Sequence, residues 1–524
     1  MCNRCRAPEE RTPSGSSSRA SPRQFDLSAA LVYPNSKDVA FASLGFLKVL
    51  EMLRARLQVA DLAYLPRSSG EDEEILSAKQ RLLLGMHTRT EVRRFDILAF
   101  SVSYENDYLH VPELLIAAGL APLAEKRSDV WPLVISGGFT MSINPLPIAD
   151  FLDAVVVGEA EPVLDALLAT IEDAKVRGFP KPELLRALAR LEGVYVPSLG
   201  ETNVKRVWSP AERIADEPTS QVASHFGEMH LVEVGRGCGR GCLFCAAGNL
   251  YRPVRTRSQD VILDQARDFK RVGLVGTAVG DHPALESVLK KLVAEGRKVG
   301  VSSLRADQVT PEVANLLVRG GMRTIAIAPE AGSEVLRHRL NKGITDLQIF
   351  DAVRILADAG IATVKLYFMI GLPGETDHDV ESIVDLVRGL AQLRGRSKLS
   401  VAVGPFVPKP HTALQWAAFA DKATLARRVK ILRRISKIDG CSLKVGSLDE
   451  AWTEAVLSRG DRALSRALLE AAEKKIRLRT VLKRAGGYDP STALDMEKPL
   501  PWDFITSGIT GKGLKESLRK SQAA

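Results

Sequence analysis

Long apolar runs are missing from this 524-residue chain. No stretch of roughly 18 or more apolar residues occurs, which excludes an ordinary spanning helix. The opening segment, MCNRCRAPEERTPSGSSSRASPRQ, lacks the apolar region of a secretory leader. The expectation is a soluble, cytoplasmic protein with no membrane partner. Cysteine is scarce too: six residues are too few for a disulfide scaffold at this length. Hydrophobic residues make up 45% and charged residues 26%, which excludes a wholly disordered chain, a collagen-like rod and a coiled coil. The length leads us to expect two or three domains.

Charge imbalance is confined to one end. The chain has 72 Lys and Arg against 63 Asp and Glu, and from Asp421 onward the counts are 22 and 13, so the first 420 residues balance. Such a basic end could meet RNA, an acidic protein or an anionic substrate. Leu425, Val429, Leu432 and Ile435 fit an amphipathic helix, however, which favours a solvated helical surface over a nucleic-acid arm.

Residues 1–24 are polar and are expected to form a disordered tail. Within them Cys2 and Cys5 have Cys-x2-Cys spacing but no further metal ligand close by. Residues 25–195 alternate β-like runs with helical runs, as in a doubly wound α/β domain with a parallel sheet. Its strand candidates are 28–35, 60–66, 96–103, 132–138 and 153–159, with helices expected over 44–57 and 111–123. Ligands bind such sheets at the carboxyl ends of the strands. Those ends carry Ser101, Ser103, Tyr104, Gly137, Gly138 and Gly158, small residues in the main, which would let a large flat ligand approach the backbone. Residues 196–229 read as a linker. A second alternation over 230–444 supplies six strand candidates and suggests a partial (β/α)6 barrel, whose site would lie at the strand carboxyl ends. Residues 445–524 read as a small basic helical region.

The most informative segment is EVGRGCGRGCLFCAAGNLYRPVRTR, residues 233–257, directly after the first barrel strand. It places Cys238, Cys242 and Cys245 in Cys-x3-Cys-x2-Cys spacing. Three thiolates can hold three irons of a 4Fe–4S cube and leave the fourth open. A structural zinc would need a fourth Cys or His nearby, and the loop has none. Arg236, Arg240 and Arg252 are available to offset the negative charge of a thiolate-bound cluster.

CGRGCLFC, with Phe244 before the last cysteine, resembles the cluster loop of the radical S-adenosylmethionine (radical SAM) superfamily. VKLYFMIGLPGETDHD (364–379) and APEAGSEVLRHRLNKGI (328–344) are similar to that superfamily's fifth- and fourth-strand segments. LVYP, AFSVS, SGG and GEAEPVL resemble the cobalamin-binding domain that precedes the barrel in one large class. The likeness runs from about residue 28 to 505. It departs in two places. The Asp-x-His-x-x-Gly loop that ligates cobalt in many such domains is replaced by 34–43, which has no histidine. The Gly-Gly-Glu segment after the second barrel strand is replaced by Gly276-Thr-Ala-Val-Gly-Asp-His-Pro.

The resemblance implies a 4Fe–4S cluster on the three cysteines and SAM chelated at the open iron. One-electron cleavage would then yield methionine and a 5′-deoxyadenosyl radical. It further implies an electron donor such as flavodoxin or ferredoxin, and cobalamin as a third, open cofactor. Phe244 would pack by the adenine. Gly276 would stand at the methionyl amine, and Glu330 would accept from the ribose hydroxyls. Ser303 and Arg305 would end the third strand at the cofactor, with Arg305 paired to the SAM carboxylate, and a barrel-mouth salt bridge between Arg305 and Glu330 as the alternative. Gly371 would open main-chain groups to the adenine, and Glu375 would cap the following helix. His282 and His411 are candidate proton donors or substrate contacts, and Tyr104, Glu105 and Asp107 are candidate contacts to cobalamin or substrate. C-methylation or a radical rearrangement is the leading reaction, on a small molecule or a macromolecule. A cobalamin-free modifier of RNA or protein and a non-catalytic iron–sulfur regulator are the alternatives. A methylthiolase would need cysteines for a second cluster, and only Cys441 remains on the folded part.

Overall fold

The computed structural model describes residues 24–66, 75–77, 81–214, 229–486 and 488–523. Cys2, Cys5 and all of the expected disordered tail except Gln24 lie outside the described residues, as do 215–228 of the expected linker. Among the described residues no helix is long and apolar enough to cross a membrane.

The first half is built on strands β1 (Phe25–Tyr33), β2 (Leu57–Tyr64), β3 (Ile97–Ser101), β4 (Leu133–Gly137), β5 (Ala154–Val156) and β6 (Val194–Tyr195). Their order is β2-β1-β3-β4-β5-β6, and all pairings are parallel except the last. These strands are near-continuous apolar runs because helices cover both faces. One covering helix, Leu44–Arg54, starts where the Ser43 hydroxyl accepts from the Phe46 amide and buries Phe46, Leu47, Leu50 and Leu53. Strand order reverses between β1 and β3, and such sheets open a ligand crevice there, outside the strand carboxyl ends.

Between the halves, β7 (Val204–Lys205) interrupts the expected linker. The second half carries β8 (His230–Arg236), β9 (Arg255–Thr256), β10 (Arg271–Gly276), β11 (Lys298–Val301), β12 (Thr324–Glu330), β13 (Thr363–Ile370), β14 (Lys398–Pro405) and β15 (Cys441–Val445). They form two four-stranded sheets, β9-β8-β10-β11 and β12-β13-β14-β15, joined by a parallel bridge between Leu304 and Ile327. The result is a partial barrel with seven parallel strands rather than six. The seventh, β15, escaped the sequence reading because its half-buried and exposed residues alternate and its run is short. Cys441 sits in it, in register with Leu399.

The C-terminal region is helical as expected, with helices Leu448–Arg459, Leu464–Lys474 and Leu478–Ala485 packed in large part on the first half. Leu457, Leu464, Leu468, Val481 and Leu482 are buried in the core of the first half. A last short strand, β16 (Ile505–Thr506), then pairs with β7. Helix Lys422–Leu432 does close the barrel, burying Leu425 and Leu432 as its amphipathic pattern implies, with Ile435 just beyond its end. Two of its basic residues are engaged, Arg427 with Asp377 and Arg428 with Glu375, and just beyond it Arg434 lies 3.8 Å from Glu381.

Candidate functional site

The loop carrying Cys238, Cys242 and Cys245 leaves β8 at the barrel mouth. Gly237 turns it with φ 89°, and a Cβ there would stand 2.3 Å from the Tyr251 carbonyl oxygen. The Gly237 amide donates to Thr277 Oγ1, and the Leu243 amide donates to the Leu340 carbonyl. Asn341 Nδ2 donates to the Gly241 carbonyl at 2.9 Å, tying the loop to the turn after the β12 helix. Cys245 caps the short helix Ala246–Leu250, its sulfur accepting from the Gly248 amide. Burial pushes the Cys242 thiol up to about 11, against the pull of the Lys342 cation. Among the described residues no three His, Cys, Asp or Glu side chains are grouped around one point as a single ion would need. A tetrahedral zinc requires four such ligands on one centre, whereas in a cube each thiolate meets its own iron.

Glu330 ends β12 beside this loop, held at φ 75° after a break in strand register, an uncommon state for a non-glycine residue. Its carboxylate binds Lys342 Nζ at 2.9 Å, and burial raises its pKa. The expected alternative, a pair between Glu330 and Arg305, does not form. Arg305 donates instead to Asp307 and to the Lys342 carbonyl. Lys342 is therefore the residue that sequence reasoning missed, although it stands in the quoted Asn-Lys-Gly turn. Ser303 is exposed at the end of the β11 connection, and Phe244 is partly buried against the Leu243, Leu336 and Leu372 cluster.

Several expectations change once partners are visible. Arg236 is not free to offset a cluster, because Glu233, Glu159 and Glu161 surround it. Arg240 pairs with Asp281, while Arg252 donates to the Gly248 carbonyl. Glu375 does not cap its helix; Thr376 does, in a reciprocal capping box with Asp379. Glu375 is buried, held at about 7, and accepts from the Gly371 amide at 2.6 Å, so that amide is not open to adenine. His282 uses both ring nitrogens, one against the Arg257 carbonyl and one accepting from the Ala284 amide. His411 is buried and donates to the Ile143 carbonyl of the first half at 3.1 Å, and burial lowers its pKa to about 4. Neither imidazole is placed as a proton donor. Glu105 binds Lys409 and Ser458, while Asp107, raised to about 6 by burial, accepts from Asn35.

A cavity of about 760 Å³ opens at the carboxyl ends of the first sheet and reaches the barrel at Gly235 and Gly276. Ser101, Ser103, Tyr104, Gly137, Gly138 and Gly158 all line it, as expected of the strand ends. Apolar Leu31, Met52, Ile97, Ile135 and Leu168 continue it as a slot between the sheet and its helices. Two of the glycines serve the backbone rather than a ligand. A Cβ on Gly138 would stand 2.3 Å from the Val102 oxygen, and one on Gly158 2.1 Å from the Val207 oxygen, whereas Gly137 has room.

Residues 45–197 match the family described as radical SAM proteins, N-terminal, and residues 232–387 match the radical SAM superfamily. An uncharacterized protein of Methanocaldococcus jannaschii is 31% identical over 72% of this chain and 80% of its own length. The chain belongs to the radical SAM superfamily. It is thus a radical SAM enzyme, and the loop of three cysteines lies inside the matched segment. A ribosomal protein uS12 methylthiotransferase of Salinispora tropica is 27% identical over 40% of this chain and 44% of its own length. The fold of the whole enzyme resembles the radical SAM methyltransferase TsrM of Kitasatospora setae, solved with cobalamin and a [4Fe–4S] cluster (TM-score 0.53, 15% identity). That likeness covers 95% of this chain and 100% of the other. It also resembles the cobalamin-dependent enzyme OxsB (TM-score 0.51, 16% identity), over 90% of this chain and 64% of the other.

Proposed function

We propose that this radical SAM enzyme holds a 4Fe–4S cluster on Cys238, Cys242 and Cys245, cleaves SAM reductively, and binds cobalamin in the cavity between its halves. The reaction is C-methylation or a radical rearrangement. The observation that carries the cobalamin reading is the cavity itself. It combines a wide mouth at the sheet's strand ends with an apolar slot beneath, and it opens toward the barrel at Gly235 and Gly276. Its described lining includes no histidine, so cobalt would have no imidazole beneath it. When bound, the cluster supplies the electron for SAM cleavage and cobalamin supplies a methyl carrier or radical partner.

The chain's own residues do the positioning. Asn341 and Thr277 hold the cysteine loop, and Lys342 pairs with Glu330 at the barrel mouth, where its carboxyl oxygens could accept from ribose hydroxyls. Ser101, Ser103, Tyr104 and Gly137 line the cavity and would hold cobalamin there, the hydroxyls as hydrogen-bond partners.

Anaerobic reconstitution tests this function. One 4Fe–4S cluster per chain, 5′-deoxyadenosine release with SAM and dithionite, and retention of hydroxocobalamin on dialysis are expected. Loss of iron and of SAM cleavage in the triple change of Cys238, Cys242 and Cys245 to Ala completes the expectation. A triple variant that still binds four irons and cleaves SAM refutes the cluster assignment. No corrinoid retention at tens of micromolar refutes the cavity assignment.

A further inference from the structure

A second cleft, of about 530 Å³, lies against the cluster loop and shares only Arg206 with the lining of the large cavity. Its walls are the β7 segment with Lys205, Arg206 and Trp208, the segment Arg252–Val254 that follows the cysteine loop, and Thr506–Ile509 beyond β16. The cysteine loop itself reaches the protein surface here at Gly239, which is exposed and directly bonded to Cys238. Val254 packs beside it: a Cβ on Gly239 would lie 3.9 Å from a Val254 methyl.

Three features of this face point in one direction. Its described lining has no Asp or Glu and carries two exposed cations, Lys205 and Arg252, with Arg206 buried behind them. Lys205 meets Glu192 in a pair that is more than 60% exposed on both sides, and among the described residues Arg206 and Arg252 donate to carbonyls, of Arg252 and Gly248, rather than to a carboxylate. Trp208, 40% exposed, and Val254, 50% exposed, add apolar area at the centre of a basic rim, the usual anatomy of a protein-binding patch. Arg206 Nε and Ser507 Oγ are buried in these walls without hydrogen-bond partners.

Resting on the cluster proposed above, we infer that this face docks a small acidic electron-transfer protein and passes its electron to the cluster through the Gly239–Cys238 backbone. The balance is one electron per SAM. The donor is oxidised by one electron, and the sulfonium C–S bond breaks to a 5′-deoxyadenosyl radical with methionine as leaving group. Apolar contact with Trp208 and Val254 orients the donor, while the cations raise its encounter rate and make it salt-dependent.

The test uses the full-length reconstituted enzyme with flavodoxin kept reduced by its reductase as one donor and dithionite as the other. Val254→Glu places a negative charge beside Gly239, and Val254→Lys places a positive one of similar bulk. Flavodoxin-driven 5′-deoxyadenosine formation should fall about tenfold in Val254→Glu, and further with Lys205→Glu. It should persist in Val254→Lys, with dithionite-driven rates unchanged in all three. A flavodoxin binding titration gives a readout that needs no SAM chemistry: affinity should fall in Val254→Glu and with added salt. Unchanged flavodoxin affinity in Val254→Glu overturns the docking face, as does equal loss in the Glu and Lys variants or displacement of flavodoxin by tRNA. If wild type cleaves no SAM with dithionite while the charge effect on flavodoxin binding holds, the proposed function fails and the docking face stands.

Discussion

Glu159 offers a sharp test of how the two halves are joined. It follows β5 in the first half, yet its carboxylate meets Arg236 Nη1 and Arg255 Nη1 of the barrel at 2.8 Å each, and the Ser209 amide at 2.9 Å. The Glu159 and Arg255 side chains are both only 5% exposed. In Glu159→Ala, Arg236 keeps Glu161 and Glu233. Arg255 keeps only carbonyl acceptors such as Ser209 and Pro253. A buried guanidinium without a carboxylate should then destabilise the enzyme by about 3–5 kcal/mol. Glu159→Gln retains shape and one acceptor and should cost roughly half as much. Glu192→Ala removes only the exposed partner of Lys205 and should cost at most about 1 kcal/mol. Urea unfolding at unchanged slope gives the three values, and amide exchange across Glu233–Thr256 reports whether the loss is local to the junction. A Glu159→Ala penalty no larger than that of Glu192→Ala would refute the reasoning.

His411 is neutral in the folded state at about pH 4 and above, whereas an unfolded histidine takes a proton near 6.5. Above 6.5 it is neutral in both states; below, the unfolded chain gains protons first. Wild type should therefore lose roughly 2–3 kcal/mol relative to His411→Gln between pH 7.5 and 4.5, measured by denaturation at both pH values. Gly138→Ala should fail to fold stably, from the 2.3 Å approach to the Val102 oxygen. Gly137→Ala should fold normally yet bind hydroxocobalamin more weakly; equal affinity by dialysis would argue against corrin at that wall. Lys342→Met leaves Glu330 buried without its cation and should weaken SAM binding while sparing iron content. SAM affinity by titration and iron analysis distinguish the two effects.

The alternation of strands and helices, eleven of the longer strands and the cysteine loop were readable from the chain because each is written in local pattern. Buried parallel strands are continuous apolar runs, and three thiolates within eight residues have few structural uses. Strand β15 and the packing of the C-terminal helices were not readable, since a short alternating strand and an amphipathic helix do not name the surface they cover. The side-chain partnerships lay further out of reach. Arg236, His282, His411 and Glu375 look available for a role in the sequence because their chemistry is intrinsic. Whether such a group is available depends on what stands within about 3 Å of it, and those neighbours lie far away along the chain. Lys342 shows the converse: twelve residues from Glu330 in sequence, it becomes its ion-pair partner only when β12 and the turn after its helix are folded together. Local pattern determined most of the elements and the cysteine loop. Long-range contact alone decided which polar groups remain free to act.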